Sequence, residues 1–154
     1  MAVEIERKFL VRPGLWTPAG PGDLIRRGYI SSSPDRTVRV RVRKDRAYLT
    51  IKGPTTGLSR LEFEYEIPVT DAHQLLDQVC TAVLDKHRHV EQHGAHTWEI
   101  DVFHGANEGL VVAEVELVSE QEAVELPAWA GYEVSADYRY ANSYLAKCPY
   151  SIWG

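Results

Sequence analysis

Apolar and charged residues alternate with a period of two from the very start of the chain, in the segment Val3–Val11. Successive side chains of a strand point to opposite faces, so Glu4, Glu6 and Lys8 share one face and the apolar residues share the other. The pattern predicts a strand whose polar face holds two carboxylates and an ammonium. An edge strand with one solvated face has the same pattern, so this segment alone leaves that interpretation open.

The same two-faced pattern recurs in later segments, which are Thr37–Arg43, Tyr48–Lys52, Leu61–Ile67, the stretch around Lys86 and Arg88, Trp98–Val102 and Val111–Leu117. Their polar positions are almost all ionisable, and each segment carries mostly one sign. The acids are Glu4, Glu6, Glu62, Glu64, Glu66, Glu99, Asp101, Glu114 and Glu116; the bases are Lys8, Arg39, Arg41, Arg43, Lys52, Lys86 and Arg88. Three arginines spaced two apart repel each other unless an anion or carboxylates lie among them.

So many half-charged strands need a specific architecture, because each apolar face must be covered. Few helical segments are available for this: Asp71–Thr81, a short turn near Glu120–Val124, and Asp137–Lys147. A closed antiparallel barrel removes the exposed sheet edges and keeps the charges inside. We therefore predict an α+β fold, a closed eight-stranded antiparallel β-barrel with a charged lumen and helices packed outside, formed by one domain over residues 1–154.

Composition narrows the class of protein without changing this fold. The net charge is −5, which argues against general nucleic-acid binding, and no apolar run approaches the length of a membrane helix. Cys80 and Cys148 have no metal-binding or redox spacing. The chain begins with a charged strand rather than a signal peptide. A cytoplasmic location is expected, with no nucleic-acid or membrane partner.

Separate acidic and basic strands are what a site for a metal-bound polyanion needs. Carboxylate oxygens bind hard divalent cations, and arginine and lysine neutralise phosphate oxygens. The alternative is a solvent-exposed face crossed by salt bridges, which the near absence of uncharged polar residues disfavours.

Read in order, these segments resemble the CYTH domain family, also called the triphosphate tunnel metalloenzymes. The Glu-x-Glu-x-Lys pattern at Glu4, Glu6 and Lys8 matches that family's signature, and the resemblance continues through the later segments to the tail Asp137–Leu145. It implies an eight-stranded tunnel that binds a small-molecule triphosphate with Mg²⁺ or Mn²⁺. The compact single-domain form is most similar to bacterial inorganic triphosphatases, and a homodimer is an alternative to a monomer.

The resemblance also implies roles for individual residues. The implied metal ligands are Glu4, Glu6, Glu114 and Glu116, with Asp101 as a further metal candidate, and the implied phosphate ligands are Lys8, Arg39, Arg41, Lys52, Lys86 and Arg88. The acids Glu62, Glu64, Glu99 and Asp101 are expected to bind a second metal ion, to position water or to orient the bases. For catalysis, we expect Glu62 or Glu64 to align the attacking water and Lys52 to tune the proton of Tyr29. The alternative for Tyr29 is a barrel-lining phenol bonded to an arginine.

The predicted reaction is metal-dependent hydrolysis of inorganic triphosphate to diphosphate and phosphate. The alternatives are a nucleoside or thiamine triphosphatase, a class IV-type adenylate cyclase, and a non-catalytic polyphosphate-binding protein. Hydrolysis of a phosphoanhydride requires charge neutralisation and an in-line water more than covalent chemistry, which suits this set of residues.

Overall fold

The computed structural model describes residues 3–33 and 35–153, which form a strand-dominated α+β domain. Its strands are β1 (Val3–Val11), β2 (Asp23–Ser33), β3 (Arg36–Arg43), β4 (Arg46–Thr56), β5 (Ser59–Ile67), β6 (Ala82–His93), β7 (His96–Phe103), β8 (Val111–Glu116) and β9 (Ala130–Glu133). The helices are α1 (Val69–Gln78) and α2 (Asn142–Lys147), and single 3₁₀ turns lie at Gly105–Asn107, Tyr138–Tyr140 and Tyr150–Ile152.

The strands close into a barrel because β1 pairs on both of its edges. The sheet runs in the order β5-β4-β3-β2-β6-β7-β8-β1, and β1 then pairs with β5 to complete an eight-stranded antiparallel ring. The short β9 adds to the other end of β1, beyond the stretch that pairs with β5. The predicted closed barrel is confirmed. The four residues of β9 carry no alternating pattern and were not predicted as a strand.

Helix α1 covers the outer face of β3 and β4. Ala72 and Leu76 pack against Val40, Val42 and Ala47, all of them buried. The helix begins two residues before the predicted Asp71, with Pro68 at its N-cap position. Packing here is close: a Cβ atom on Gly28 of β2 would lie 2.7 Å from the Leu76 side chain. The predicted helix on the outside of the barrel is thus present.

A second apolar cluster covers the outer faces of β1, β7 and β8. Phe9 packs on Trp98 with ring centroids 5.6 Å apart, and Trp129 packs edge-on against Trp98 at 5.4 Å. Trp129 lies in the segment that leads into β9, so this irregular segment provides the cover that no helix supplies on this side. Burial of these aromatic rings stabilises the barrel from outside and leaves the lumen to polar residues.

The C-terminal helix is shorter than predicted and occupies part of the barrel end. Residues 137–147 do not form one helix, because Ala141 is extended, with φ −68° and ψ 137°, between a 3₁₀ turn and α2. Leu145 of α2 is fully buried against Leu84, Phe103 and Val112. These three residues lie two positions from Lys86, Asp101 and Glu114 respectively, so they share the lumen face. Apolar packing therefore fills one part of the lumen and confines the charged part.

Candidate active site

The order of strands in the ring decides which charges face each other. In a ring of eight, β1 stands opposite β2 and β8 stands opposite β3. The carboxylates of β1 and β8 therefore lie across the lumen from the arginines of β2 and β3. We use the names acidic wall for Glu4, Glu6, Glu114 and Glu116, and basic wall for Arg27, Arg39 and Arg41.

A polar cavity of about 270 Å³ occupies the lumen and opens into a wider mouth of about 820 Å³. The ionisable residues that line the inner cavity are Glu4, Glu6, Lys8, Arg27, Tyr29, Arg39, Arg41, Arg43, Lys52, Arg60, Glu62, Glu64, Arg88, Glu99, Glu114 and Glu116. The mouth is bordered by residues of the β2–β3 and β4–β5 turns and of the C-terminal segment. The cavity thus gathers acids and bases from all eight strands of the ring into one site.

The acidic wall is assembled by the register of β1 on β8. Glu6 pairs with Glu116 and Lys8 with Glu114. The Lys8 ammonium lies 3.9 Å from a carboxylate oxygen of Glu6 and 3.9 Å from one of Glu114. Burial and the charge of Glu114 raise the pKa of Glu6 to about 8. Burial acts in the same direction on Glu114, but the charges of Lys8, Arg88 and Lys86 together outweigh it and lower the pKa of Glu114 to about 2.

The donor chemistry of the acidic wall fits a divalent metal ion. Among the described residues, no three acidic, histidine or cysteine side chains are already gathered around one point. The observation that favours a cation is that Glu6 and Glu116 pair directly in register, with Glu114 on the same face of β8. Burial and the repulsion by Glu114 raise the pKa of Glu6, and a positive ion would relieve that repulsion. Glu4, Glu6, Glu114 and Glu116 all line the same cavity with oxygen donors, the ligands that Mg²⁺ and Mn²⁺ prefer.

Lys52 connects the acidic wall to β5. Its ammonium donates to Glu4 Oε1 at 2.8 Å and lies 3.2 Å from Glu62 Oε2. Burial acts to raise the pKa of Glu4, but Lys52 outweighs it and leaves that pKa below its ordinary value. The structure thus brings together the predicted metal ligand Glu4, the predicted phosphate ligand Lys52 and the predicted water-positioning residue Glu62.

Two arginines of the basic wall, Arg39 and Arg41, share a single carboxylate. Arg39 and Arg41 lie 3.7 Å and 3.5 Å from Glu64 Oε2, and the Thr50 hydroxyl donates to the same oxygen at 3.0 Å. The Nε atoms of Arg27, Arg39 and Arg41 are buried, with no hydrogen-bond partner among the described residues. Burial and the charge of Arg27 lower the pKa of Arg39 to about 10. The same two causes lower the pKa of Arg41 below its ordinary value. One carboxylate among three guanidinium groups leaves this wall with excess positive charge.

The bases of β6 are paired much more completely. Asp101 accepts from Lys86 Nζ at 2.6 Å and from Arg88 at 2.8 and 2.9 Å. Lys86 also donates to Asn142 of α2 at 2.9 Å, and Arg88 reaches Glu99 at 3.3 Å. Burial would raise the pKa of Asp101, but the two cations outweigh it and hold that pKa well below its ordinary value. Lys86 and Asp101, both fully buried, lie behind the residues that line the cavity.

Tyr29 lines the same cavity from β2. It is 2% exposed and pairs in register with Arg39. Its phenol is near enough to Lys8 and Arg39 to act on the pKa of both. The structure therefore places Tyr29 between the Lys8 side of the site and the basic wall.

Two lumen bases, Arg27 and Arg60, were not predicted from the sequence, and Arg43 was predicted on the charged face without a ligand role. Arg43 donates to Asp23 at 2.8 Å, and Arg60 donates to the Gly53 carbonyl at 2.6 Å, so both have protein partners. Arg27 lies two positions from both Ile25 and Tyr29 on β2, so the three side chains share one face. The alternation alone could have placed Arg27 on the lumen face, but β2 mixes charged and apolar residues on that face, and its signal was weak.

Comparison with known proteins gives a consistent result. Residues 2–146 match the model of the CYTH domain. An inorganic triphosphatase of Acetivibrio thermocellus is 49% identical over 151 residues, covering 97% of each chain. One of Nitrosomonas europaea is 36% identical over 149 residues, covering 93% of this chain and 96% of that protein.

A crystal structure of an inorganic triphosphatase superposes on this fold with a TM-score of 0.67 and 33% sequence identity, covering 95% of both chains. Within the described residues, no helix is both long enough and apolar enough to cross a membrane. The match spans nearly the whole chain and includes every strand of the charged lumen. This chain belongs to the CYTH domain family.

Proposed function

We propose that this protein hydrolyses inorganic triphosphate to diphosphate and phosphate inside the barrel, with the help of a divalent metal ion. The observation that carries the proposal is the division of one cavity into an acidic wall and a basic wall with excess positive charge. A linear triphosphate needs several cations along its length and a metal ion on one side. The names of the two bacterial relatives support the same reaction.

The acidic wall is the proposed metal site. Glu4, Glu6, Glu114 and Glu116 would hold Mg²⁺ or Mn²⁺, which neutralises phosphate oxygens and makes a bound water more acidic. The metal-binding role that the family resemblance implied for Asp101 is less well supported by its contacts. Both of its oxygens accept from Lys86 and Arg88. We propose that Asp101 orients these two bases.

The phosphate chain is proposed to lie along Lys8, Arg39, Arg41, Lys52 and Arg88, all of which line the cavity. Lys86, the sixth predicted phosphate ligand, lies behind the residues that line the cavity. It donates to Asp101 and Asn142, while Arg88 faces the lumen. Bidentate guanidinium contacts give both charge neutralisation and orientation of phosphoryl oxygens. Positioning and electrostatics of this kind are the main contributions that a protein makes to phosphoryl transfer.

Water attack on a phosphorus atom needs a group that orients the water and takes its proton while diphosphate leaves. Glu64 is held by Thr50 at 3.0 Å, and the contacts from Arg39, Arg41 and Thr50 all converge on its Oε2. Glu62 is held by Lys52. We propose that one of these two glutamates aligns the water. Tyr29 and Lys52 are proposed to assist from β2 and β4, the two strands that flank β3.

The Tyr29 assignment is tested with Tyr29→Phe, with Tyr65→Phe on the exposed outer face of β5 as the control. If turnover of Tyr29→Phe equals that of the wild type, Tyr29 is a barrel-lining phenol and takes no part in the reaction.

The deciding experiment measures phosphate release from inorganic triphosphate, diphosphate, ATP and thiamine triphosphate, each with Mg²⁺ or Mn²⁺. The double variant Glu4→Gln/Glu6→Gln should lose activity. Glu108→Gln/Glu125→Gln, which removes the same charge from exposed positions, should keep it. Preferential, metal-dependent release from inorganic triphosphate supports the proposal. Preferential turnover of a nucleotide or of thiamine triphosphate would replace it with an alternative, and cyclic AMP as product would indicate a cyclase.

The same assay identifies the ion, because only the ion that supports release is functional. A homodimer and a cytoplasmic location stay predictions, which analytical ultracentrifugation and cell fractionation would test.

A further inference from the structure

Arg27 is a lumen base that the proposed substrate set leaves out. It lies on β2, is 4% exposed and lines the inner cavity. In register it pairs with Arg41 of β3 on one side and Leu84 of β6 on the other. Its guanidinium therefore sits among cations and apolar groups, an unusual environment for a buried charge.

No acid of the described residues compensates this charge. Across residues 3–33 and 35–153, Arg27 makes no salt bridge, and its buried Nε has no hydrogen-bond partner. The neighbouring Arg26, which points to the opposite face, lies 3.5 Å from Asp85 at the partly exposed outer surface. A buried charge without a partner is costly for a folded protein, so its presence calls for a compensating group from outside the chain.

The neighbours of Arg27 show where that group must bind. The charge of Arg27 acts together with burial to lower the pKa values of Arg39, Arg41 and Lys86. Arg27, Arg39 and Arg41 each have a buried Nε–H donor without an acceptor. Three such donors on adjacent strands form a positive pocket opposite β1 and β8 and their carboxylates. An anion would satisfy these donors and also reduce the repulsion among the three guanidinium groups, which water does not do.

We propose that Arg27 is a further substrate-binding residue whose guanidinium donates to a phosphoryl oxygen of inorganic triphosphate. This inference rests on the proposed function for the identity of the anion. It adds one cation on β2 to the proposed phosphate ligands, so that the phosphate chain is contacted from β2 as well as from β1, β3, β4 and β6. No bond is made or broken at Arg27.

The test compares Arg27→Gln and Arg27→Lys with the matched control Arg26→Gln, which removes the same charge from the opposite face of the same strand. Initial rates with Mg²⁺ and inorganic triphosphate should show KM raised on the order of 10- to 100-fold for Arg27→Gln, the loss expected for one charge-assisted hydrogen bond, with kcat changed far less. Arg27→Lys should recover part of the affinity. Arg26→Gln should behave like the wild type.

Two further measurements separate binding from a structural role. Calorimetric titration with inorganic triphosphate in EDTA should show weaker binding for Arg27→Gln. The melting temperature of the unliganded Arg27→Gln protein should equal or exceed that of the wild type, because the variant removes an uncompensated buried charge. A lower melting temperature together with unchanged KM would show that Arg27 serves the fold, and would overturn the inference.

The outcomes also separate this inference from the proposed function. A wild type that binds triphosphate without releasing phosphate would refute the proposed function, and the dissociation constants of the Arg27 variants would then decide the inference alone. A wild type that releases phosphate, with Arg27→Gln at wild-type KM and wild-type affinity, would refute the inference and leave the function standing.

Discussion

Two groups of bases face the lumen of this barrel in different surroundings. One is the basic wall on β2 and β3, and the other is Lys86 and Arg88 on β6. On β6, Lys86 and Arg88 share Asp101, with three contacts between 2.6 and 2.9 Å. Among the described residues, the only carboxylate close to the basic wall on β2 and β3 is that of Glu64, which lies 3.7 Å from Arg39 and 3.5 Å from Arg41. The β6 bases therefore have their charge compensated within the protein, although Arg88 also lines the cavity, while the three guanidinium groups of the basic wall keep buried donors without an acceptor among the described residues. The protein partners of these bases, rather than their residue types, set the two groups apart.

The largest expected effect is a loss of stability in Asp101→Asn, which removes the carboxylate shared by Lys86 and Arg88. Asp101 is 1% exposed, so its loss leaves two buried cations without compensation. Removing one partner of a buried ion pair costs about 3–5 kcal/mol, and we expect the free energy of unfolding in urea to fall by that amount. The control is Glu99→Gln, which removes the 37% exposed carboxylate on the other side of Arg88 and should cost about 1 kcal/mol or less. Equal stability of the two variants would contradict the comparison.

On the basic wall, the expected loss is in activity rather than stability. Arg39→Gln and Arg41→Gln should each lower kcat/KM for inorganic triphosphate on the order of 10- to 100-fold, since each removes a charge-assisted contact to phosphate. Unfolding of the unliganded variants should occur at or above the wild-type temperature, because repulsion within the wall is reduced. Arg36→Gln, at the exposed start of β3, is the matched control for steady-state kinetics. Stability losses without kinetic losses would place Arg39 and Arg41 with the structural bases.

Metal affinity of the acidic wall, and stability of the metal-free protein, should depend on pH. Because the pKa of Glu6 is raised to about 8, metal binding at neutral pH must displace its proton. Affinity for Mg²⁺ should rise by up to about tenfold per pH unit between pH 6 and 8 and level off above. The metal-free protein should lose stability as pH rises from about 4.5 towards 8, since the folded state binds the proton more tightly than the unfolded chain.

Titration calorimetry in buffers of different ionisation enthalpy counts the protons released. Glu6→Gln should abolish the pH-dependent proton release, and a release unchanged in that variant would rule out Glu6 as its source.

The smallest effect is expected at the outer surface. Arg7 donates to Glu133 at 2.7 and 2.9 Å, a bidentate geometry as good as that of Arg88 with Asp101. These side chains are 25% and 37% exposed, so solvent screens their attraction. Arg7→Ala should cost about 1 kcal/mol or less in urea unfolding and leave triphosphate turnover unchanged. A cost comparable to that of Asp101→Asn would show that geometry matters more than burial.

Most of the barrel was predictable because alternation is a local signal. In the strands of residues 3–11, 37–43 and 61–67, the alternation within each segment is enough to assign its residues to the apolar or the charged face. The break at Ala141 and the strand β9 were not predictable in this way, since both depend on contacts with distant residues. Arg27 shows the same limit at the site. The period of β2 indicates its face, but not that the part of the chain the structure describes places no acid beside it.

The sequence by itself determined that this chain forms half-charged strands, that its acids and bases lie on separate strands, and that it resembles the CYTH family. Those features depend on residue order and on the two-residue period of a strand. Only the tertiary structure decided which charges meet, because strand order and register place β1 opposite β2 and put Asp101 between Lys86 and Arg88. Coulomb energies depend on distance and burial, and a sequence states neither.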